Sequence, residues 1–421
     1  MSVLARLWAL RRTRPGFVAL SVALLAALFA WPAADWWLRG AGVAPGFDFW
    51  DFGAYAGAVN RWLAGEPLYQ RTEAGGFHGT FLYPPIVVVL FRQFAVFSFE
   101  RAAVVWEVLS VGLLWTGMQL VAGSLGLRLR WYERGALLWL LVGFQPLLLS
   151  VKMGQTAAFM AGLLALSFVA LDRGERTDSR PWAAASGAAT AVVGAVKPVY
   201  APVGAHLLAD RDRMAGALAA GAVLLAASVL IFGVGKHRTY VEVLRWGVER
   251  GSEARSPALW LAPYYRPLGW LAESTALRVV GSAVVAGAAV FADGVDREVF
   301  ALGVAGFPLL APLAYTYYLV ALLPAAAILT ASELRRDGHP AVPVAGLLLV
   351  HLHSYGLWLL VVRMSEAVPA TTALRPAYFL LQPGLWGAAL LFGLALARVL
   401  QAASVPDPDD AVGRLRERLA R

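Results

Sequence analysis

Long apolar runs separated by short polar loops alternate along nearly the whole chain. A membrane-spanning helix needs about 20 predominantly apolar residues. The pattern predicts a first helix over Gly16–Leu38, ended by a belt of Trp31, Trp36 and Trp37. Further spans fall near Arg101–Ala122, Gly135–Leu149, Gly154–Leu171, Met214–Phe232, Ala276–Ala292, Val299–Ala311, Tyr317–Leu334, Val342–Val362 and Ala377–Val399. The run Trp182–Leu208 is broken by Lys197-Pro198, which reads as an in-and-out pair whose turn holds the lysine. Residues 39–82 form a polar loop with a short amphipathic helix, Ala54–Ala64, ended by Gly65 and Pro67. Tyr83-Pro84-Pro85 then opens an apolar piece to Phe97 that is marginal for a crossing, and that reads as re-entrant, interfacial or a thin span. A second polar loop covers 233–273 and holds one more amphipathic helix; the tail is 400–421. The runs are dense in Leu, Ala and Val and do not alternate as barrel strands do. The fold class is therefore an all-α polytopic membrane protein. No linker or repeat divides residues 1–421, so the chain is one transmembrane domain.

Composition strengthens this picture: 59% of residues are hydrophobic and only 15% charged, against about 25% charged in soluble domains. The net charge of +9 is dispersed in short loops, as topology-setting charge is, which argues against a nucleic-acid partner. There are no cysteines, so disulfides and thiolate metal sites are excluded. Arg6, Arg11, Arg12 and Arg14 precede the first run without a small-residue cleavage site, which reads as a retained helix with its N-terminus inside. Suppose Tyr83–Phe97 does not cross and the chain turns at Lys197. The short loops and termini on one side then hold more than half of the 36 basic residues. This gives about 12 crossings with both termini cytoplasmic, in the cell membrane, and both long loops outside. Lys152, Lys197 and Lys236 are the only lysines, and all three then sit at outer helix edges, where an anionic group would use them.

Candidate chemistry centres on Phe47–Tyr55, where Asp48 and Asp51 stand among aromatic rings. A carboxylate within hydrogen-bond reach of a hydroxyl can act as its general base. The alternative is that Asp51 caps a helix beginning at Phe52. Gly154-Gln155 offers amide groups to a hydroxylated ligand, or merely packs a helix. Lys197 interrupts an apolar run and is a functional candidate by default; its alternative is snorkelling to the interface. Tyr315, Tyr317 and Tyr318 would line a sugar or lipid pocket, or form an aromatic belt. Glu107 is expected to pair with an arginine of another helix. His351 and His353 fall on different helix faces, and no cluster has metal-ligand spacing. No P-loop, dinucleotide fingerprint or nucleophile elbow is present.

Five elements in order resemble glycosyltransferase family 87, the polyprenyl-phosphate-mannose-dependent mannosyltransferases of the GT-C superfamily. They are Asp51-Phe52-x-x-Tyr55, Gly65-x-Pro67-Leu68-Tyr69, Tyr83-Pro84-Pro85, Gly154-Gln155 and Lys197-Pro198. The resemblance implies a GT-C-type glycosyltransferase fold with outer-side amphipathic loop helices shaping the active site. It implies transfer of a hexose, typically mannose, from a polyprenyl-phosphate sugar donor to a lipid or glycan acceptor hydroxyl, with inversion and no cofactor. By this carry-over Asp51 is the catalytic base, with Asp48, Tyr55, Tyr83 and Gln155 beside it. Lys197 or an outer-loop arginine such as Arg266 would hold the phosphate. Two departures stand out. Tyr315-Thr316-Tyr317-Tyr318 replaces the family's frequent Trp-x-His-His, and no Asn-Gln-Ser element is evident around Ser256–Arg266. The alternative function is a multi-pass transporter or lipid flippase, which the break at Lys197 would suit and the lack of a repeat opposes; a catalytically silent scaffold is the third reading.

Overall fold

The computed structural model describes residues 2–73, 75–252, 264–269, 271–352, 368 and 382–403. The end of the Val342–Val362 run, the start of Ala377–Val399, His353, residues 253–263 of the second loop and the tail beyond 403 lie outside the described residues. The helices are α1 (Val3–Ala9), α2 (Pro15–Gly40), α3 (Trp50–Leu63), α4 (Ile86–Arg92), α5 (Phe99–Ser124), α6 (Trp131–Val142), α7 (Gln145–Met153), α8 (Ala157–Thr177), α9 (Arg180–Val196), α10 (Arg211–Ser252), α11 (Ser274–Phe291), α12 (Asp296–Leu310), α13 (Leu322–Arg335), α14 (Ala341–Leu352) and α15 (Pro383–Ala402). Three 3-10 segments interrupt them: Gln93–Val96, Pro198–Leu207 and Thr316–Ala321. The β structure among the described residues is one two-residue pair, β1 (Tyr264–Tyr265) against β2 (Ala314–Tyr315), antiparallel with Tyr264 opposite Tyr315, and two isolated bridges, Arg71 with Phe77 and Ala292 with Ala403. The protein is all-α and multi-pass. Seven described helices are long and apolar enough to cross a membrane, or eight if the bent α6–α7 pair counts as one.

Local sequence explains the breaks. The α6–α7 pair bends by 69° at the extended Phe144, and Pro146, in the first turn of α7, lacks the N–H that a helix continuous with α6 would need there. Lys197 takes φ −140 and ψ 100, the extended backbone favoured before proline. It stops α9, and Pro198 starts the 3-10 helix, so the expected turn is there. Ile86–Val96 is only 11 residues of helix, about 16 Å at 1.5 Å per residue. That is half a hydrocarbon core of about 30 Å, so this helix is too short to span one by itself. The second amphipathic helix is the continuation of α10, bent at Gly233 with φ 73 and ψ 163. Glu107 lies buried in α5, and neither of its oxygens finds a partner among the described residues, so the expected arginine is not there.

Successive helices run to and fro between two ends of the bundle, and the two ends differ in character. One end gathers ion pairs. Asp172 at the end of α8 takes Arg176 and Arg297, and Arg213 takes Glu175 and Asp296 at 3.2 and 2.7 Å. There too Glu298 meets Arg336 at 2.6 Å, and Glu333 meets Arg398 at 2.7 Å. The other end holds the starts of α3, α5 and α8, the end of α9 and the stretch 314–321. Between them α8, α12 and Thr316–Arg335 form the buried centre. Its polar contacts include Ser167 of α8 with Thr190 of α9 at 2.8 Å and Thr190 with His206 at 3.0 Å, the interhelical bonds expected where water is excluded.

A buried charge is tolerated only when paired, and deleting one partner costs about 3–5 kcal/mol. Asp172→Ala is therefore expected to destabilise the protein by about 3 kcal/mol, read as earlier thermal unfolding in detergent. Glu242→Ala, which removes the exposed partner of Arg71, is expected to cost under about 1 kcal/mol.

Candidate active site

Helix α3 starts at Trp50 because of a contact made far along the chain. Phe49 sits in the cap position with a left-handed φ of 46, and its N–H donates to the carbonyl of Lys152 at 2.9 Å. The capping alternative for Asp51 is thereby corrected: Asp51 is the second residue of α3, and no side chain caps that helix. Its charge in the first turn is favoured by the helix dipole. Tyr55 follows one turn on, fully buried, its ring stacked on Phe91 at 4.2 Å and 6°. Phe52 meets the edges of Phe91 and Phe99. The α3–α4 contact thus fixes the direction in which Asp51 and Tyr55 project.

Gly154 ends α7 with φ 71, and a β-carbon there would lie 2.5 Å from the β-carbon of Phe52. Only glycine meets both demands. The next residue, Gln155, is driven under α3 and becomes the hub of the site. Its Oε1 accepts from the Tyr55 hydroxyl at 3.0 Å, from Lys197 Nζ at 2.9 Å and from the Thr156 N–H at 3.2 Å. Its Nε2 donates to the Tyr317 hydroxyl at 3.2 Å, and its carbonyl accepts from Trp106 Nε1 at 3.3 Å. The Tyr55 and Tyr83 hydroxyls are 2.8 Å apart. Lys197, only 5% exposed, lies 4.5, 5.1 and 5.6 Å from the ring centres of Tyr318, Tyr83 and Tyr317. Such cation–π contacts are worth most when the cation is desolvated.

Asp51 faces this cluster. Burial raises its carboxyl above the ordinary carboxylate value, while a hydrogen bond to Gln155 and the charge of Lys197 pull the other way. A partly buried carboxylate with a raised pKa, held beside a cation and a set of hydroxyls, is equipped to take a proton.

The structure thus brings together Asp51, Tyr55, Tyr83, Gln155, Lys197, Tyr317 and Tyr318. Tyr315 stacks on Tyr317 at 5.2 Å and borders the group. Asp48 does not join it: its side chain is exposed, and its charge acts on Lys152. Lys152 pairs with Asp35 at 2.5 Å, so this lysine holds α7 to α2. Arg266 is buried and follows β1, whose register carries it past Ala314, away from Tyr317. Lys236 lies three residues past the Gly233 bend. Sequence reasoning missed Phe91, Trp106 and Thr156. Phe91 and Trp106 look like ordinary apolar-helix residues, and nothing in their local spacing marks them. Thr156 directly follows Gln155, the one signal available.

A multi-pass membrane protein with an enclosed polar site at one end of its bundle is the class these features define. The family model of glycosyltransferase family 87 matches residues 81–307, more than half of the chain. The chain belongs to glycosyltransferase family 87, a family of enzymes. The matched stretch contains Tyr83, Gln155, Lys197 and Arg266; Asp51 and Tyr315–Tyr318 lie outside it and are tied to it by the contacts above. Among solved structures, the crystal structure of ArnT from Cupriavidus metallidurans bound to undecaprenyl phosphate is similar over 92% of this chain and 77% of that chain. The identity is 17% and the TM-score 0.36. No curated protein matches the chain.

Gly154→Ala tests the hub. Forcing a left-handed backbone on alanine costs about 1–3 kcal/mol, and the overlap with Phe52 adds to it. Gly42→Ala shares a positive φ but meets open space, so its thermal destabilisation is expected to be clearly the smaller of the two.

Proposed function

We propose that the protein transfers a hexose, mannose in the first instance, from a polyprenyl-phosphate carrier to a hydroxyl of a lipid or glycan acceptor on the extracytoplasmic side. The observation that carries this reading is the convergence of Asp51, Gln155 and Lys197 with four tyrosines. They come from stretches that are distant in sequence and meet at one end of the bundle. That end lies opposite the ion-paired, arginine-rich loops, which the positive-inside rule assigns to the cytoplasm. Both termini then lie in the cytoplasm and the loop 39–82 lies outside. A lipid-linked sugar reaches such a site from the bilayer.

In the proposed reaction the acceptor oxygen attacks C1 of the sugar as the C1–O bond to phosphate breaks. The bond's electron pair leaves with the phosphate, and configuration inverts at C1. The acceptor proton passes to Asp51, whose raised pKa improves it as a base. Tyrosine faces suit the apolar face of a hexose, and their hydroxyls, with the Gln155 amide, suit its hydroxyls. Phosphate is already a good leaving group. Transporter-like breaks occur at Phe144 and Lys197, but the polar groups collect at one end rather than at the midplane where transporters bind. Glycosyl transfer is the better fit.

The test is transfer by the purified protein from a polyprenyl-phosphate mannose donor to a panel of lipid and glycan acceptors. Asp51→Asn is expected to lower kcat by about 10²–10⁴-fold, while Asp48→Asn stays near wild type. Full activity in Asp51→Asn overturns the assignment. The pH dependence has a definite sign. A base must be ionised, so kcat/KM falls as pH drops through the raised pKa of Asp51. Lys197→Met removes a charge that favours the ionised form, so its acid limb is expected at higher pH than in wild type. A limb at the same or lower pH contradicts the coupling.

A further inference from the structure

Resting on the reading of the reaction above, we propose that a cleft between α2 and α7 is a subsite for the acceptor, and that it takes a neutral, hydroxylated arm of that molecule on Trp31 and Gln145.

The helical period sets a face of each helix toward the other. Trp31 and Asp35 are four apart on α2, and Gln145, Leu148, Leu149 and Lys152 share one face of α7. They enclose a cleft of about 260 Å³, counting its open mouth, and the half-buried Ala44 and Pro45 of the loop after α2 form its outer wall. Toward the active-site end, Asp35 takes Lys152 at 2.5 Å and Arg39 at 3.0 Å. Farther in, Trp31 Nε1 and Gln145 Oε1 are buried, and neither has a hydrogen-bond partner among the described residues. Gln145 is itself only 5% exposed. Its N–H donates to Nδ1 of His351 at 3.3 Å, and the Trp31 ring lies edge-on to that imidazole at 5.2 Å. Both residues are thus anchored by α14, while their unpartnered atoms belong to side chains that line the cleft.

The chemistry of the lining defines the occupant. A buried donor or acceptor left unmade costs about 1–3 kcal/mol. Trp31 supplies a donor and Gln145 an acceptor, and a hydroxyl answers both at once. The charges call for a neutral ligand. Asp35 is shared by Arg39 and Lys152, and the charge of Asp48 also acts on Lys152. Two cations face two carboxylates, so the cleft has no surplus charge for a phosphate. Leu148 and Leu149 offer an apolar wall to the carbon face of a sugar or polyol.

The position suits an acceptor. The Phe49 N–H donates to the Lys152 carbonyl at 2.9 Å, so the cleft and the start of α3 share one junction. Asp51 stands just beyond that junction, on the Gln155 side. The rise along α7 from Gln145 to Lys152 is about 10 Å. A group bound at Gln145 is therefore remote from the reacting hydroxyl, and holding a remote part of a substrate is how binding energy positions the reacting part.

The chain has no cysteine, so Ala44→Cys puts a single thiol on the cleft wall of the full-length protein in detergent. The probe is hexyl dimannoside, a neutral disaccharide on a short alkyl chain. It is expected to slow modification of that thiol by a water-soluble maleimide several-fold, whereas hexyl phosphate is not. Gln145→Met and Trp31→Phe each remove one polar atom and keep the bulk. Each is expected to raise the half-protecting concentration, and the KM for the dimannoside as acceptor, by about 3- to 10-fold. The Ki of a polyprenyl monophosphate against the donor is expected to stay at the wild-type value. Variants are compared where their thermal unfolding matches wild type, and Trp31→Phe, the milder change, serves where Gln145→Met fails to fold. No protection by the dimannoside, equal protection by hexyl phosphate, or unchanged protection in the folded variants overturns the inference; water alone then bridges the two atoms. Protection that responds to the variants, in a protein that transfers sugar from no polyprenyl-phosphate donor, upholds the hydroxyl site and fails the reading of the reaction.

Discussion

One carbonyl oxygen, Gln155 Oε1, organises the polar end of this bundle. It takes hydrogens from a tyrosine, a lysine and a backbone amide that belong to different helical segments. In an apolar surround each of those donors would cost about 1–3 kcal/mol if left unmade. The hub therefore compels α3, α8, the end of α9 and the 314–321 stretch to meet at one point. Gly154 is the condition for it, because any side chain there would push α3 and its carboxylate away. The tyrosines complete the arrangement by surrounding Lys197 with π faces, a desolvated shell that accommodates the cation without a second full charge in contact.

The opposite end uses a different solution. There, carboxylates buried at the ends of α8, α12 and α13 are each met by arginine. Those pairs hold helix ends in register where loops are short. They take up the buried acids of that end, whereas Asp51 at the other end forms no ion pair among the described residues. This separation lets one end be rigid and electrically closed while the other keeps ionisable groups available for chemistry.

Much of this was legible in the sequence because it is local. Apolar runs located the spanning helices, and Pro198 and Pro146 act on their own neighbours, although only the first break was foreseen. The motif residues Tyr55, Tyr83, Gln155 and Lys197 were each weak alone, and their order in the chain linked them. What was missed depends on partners far away. Phe49 takes a left-handed backbone because its N–H reaches Lys152, more than 100 residues on, so the true start of α3 and the loss of the cap reading for Asp51 had no local signal. The equivalence of Asp48 and Asp51 broke for the same reason: three residues apart, they point one outward toward Lys152 and one inward toward Gln155. Glu107 shows the limit from the other side, since its sequence suggested a partner that packing among the described residues does not supply.

In the proposed reaction, the placement of Lys197 bears on how charge is divided during transfer. A lysine bound directly to phosphate would stabilise the leaving group, and its neighbour Asp51 would oppose it. Lys197, held on Gln155, instead opposes the rise that burial imposes on the carboxyl of Asp51.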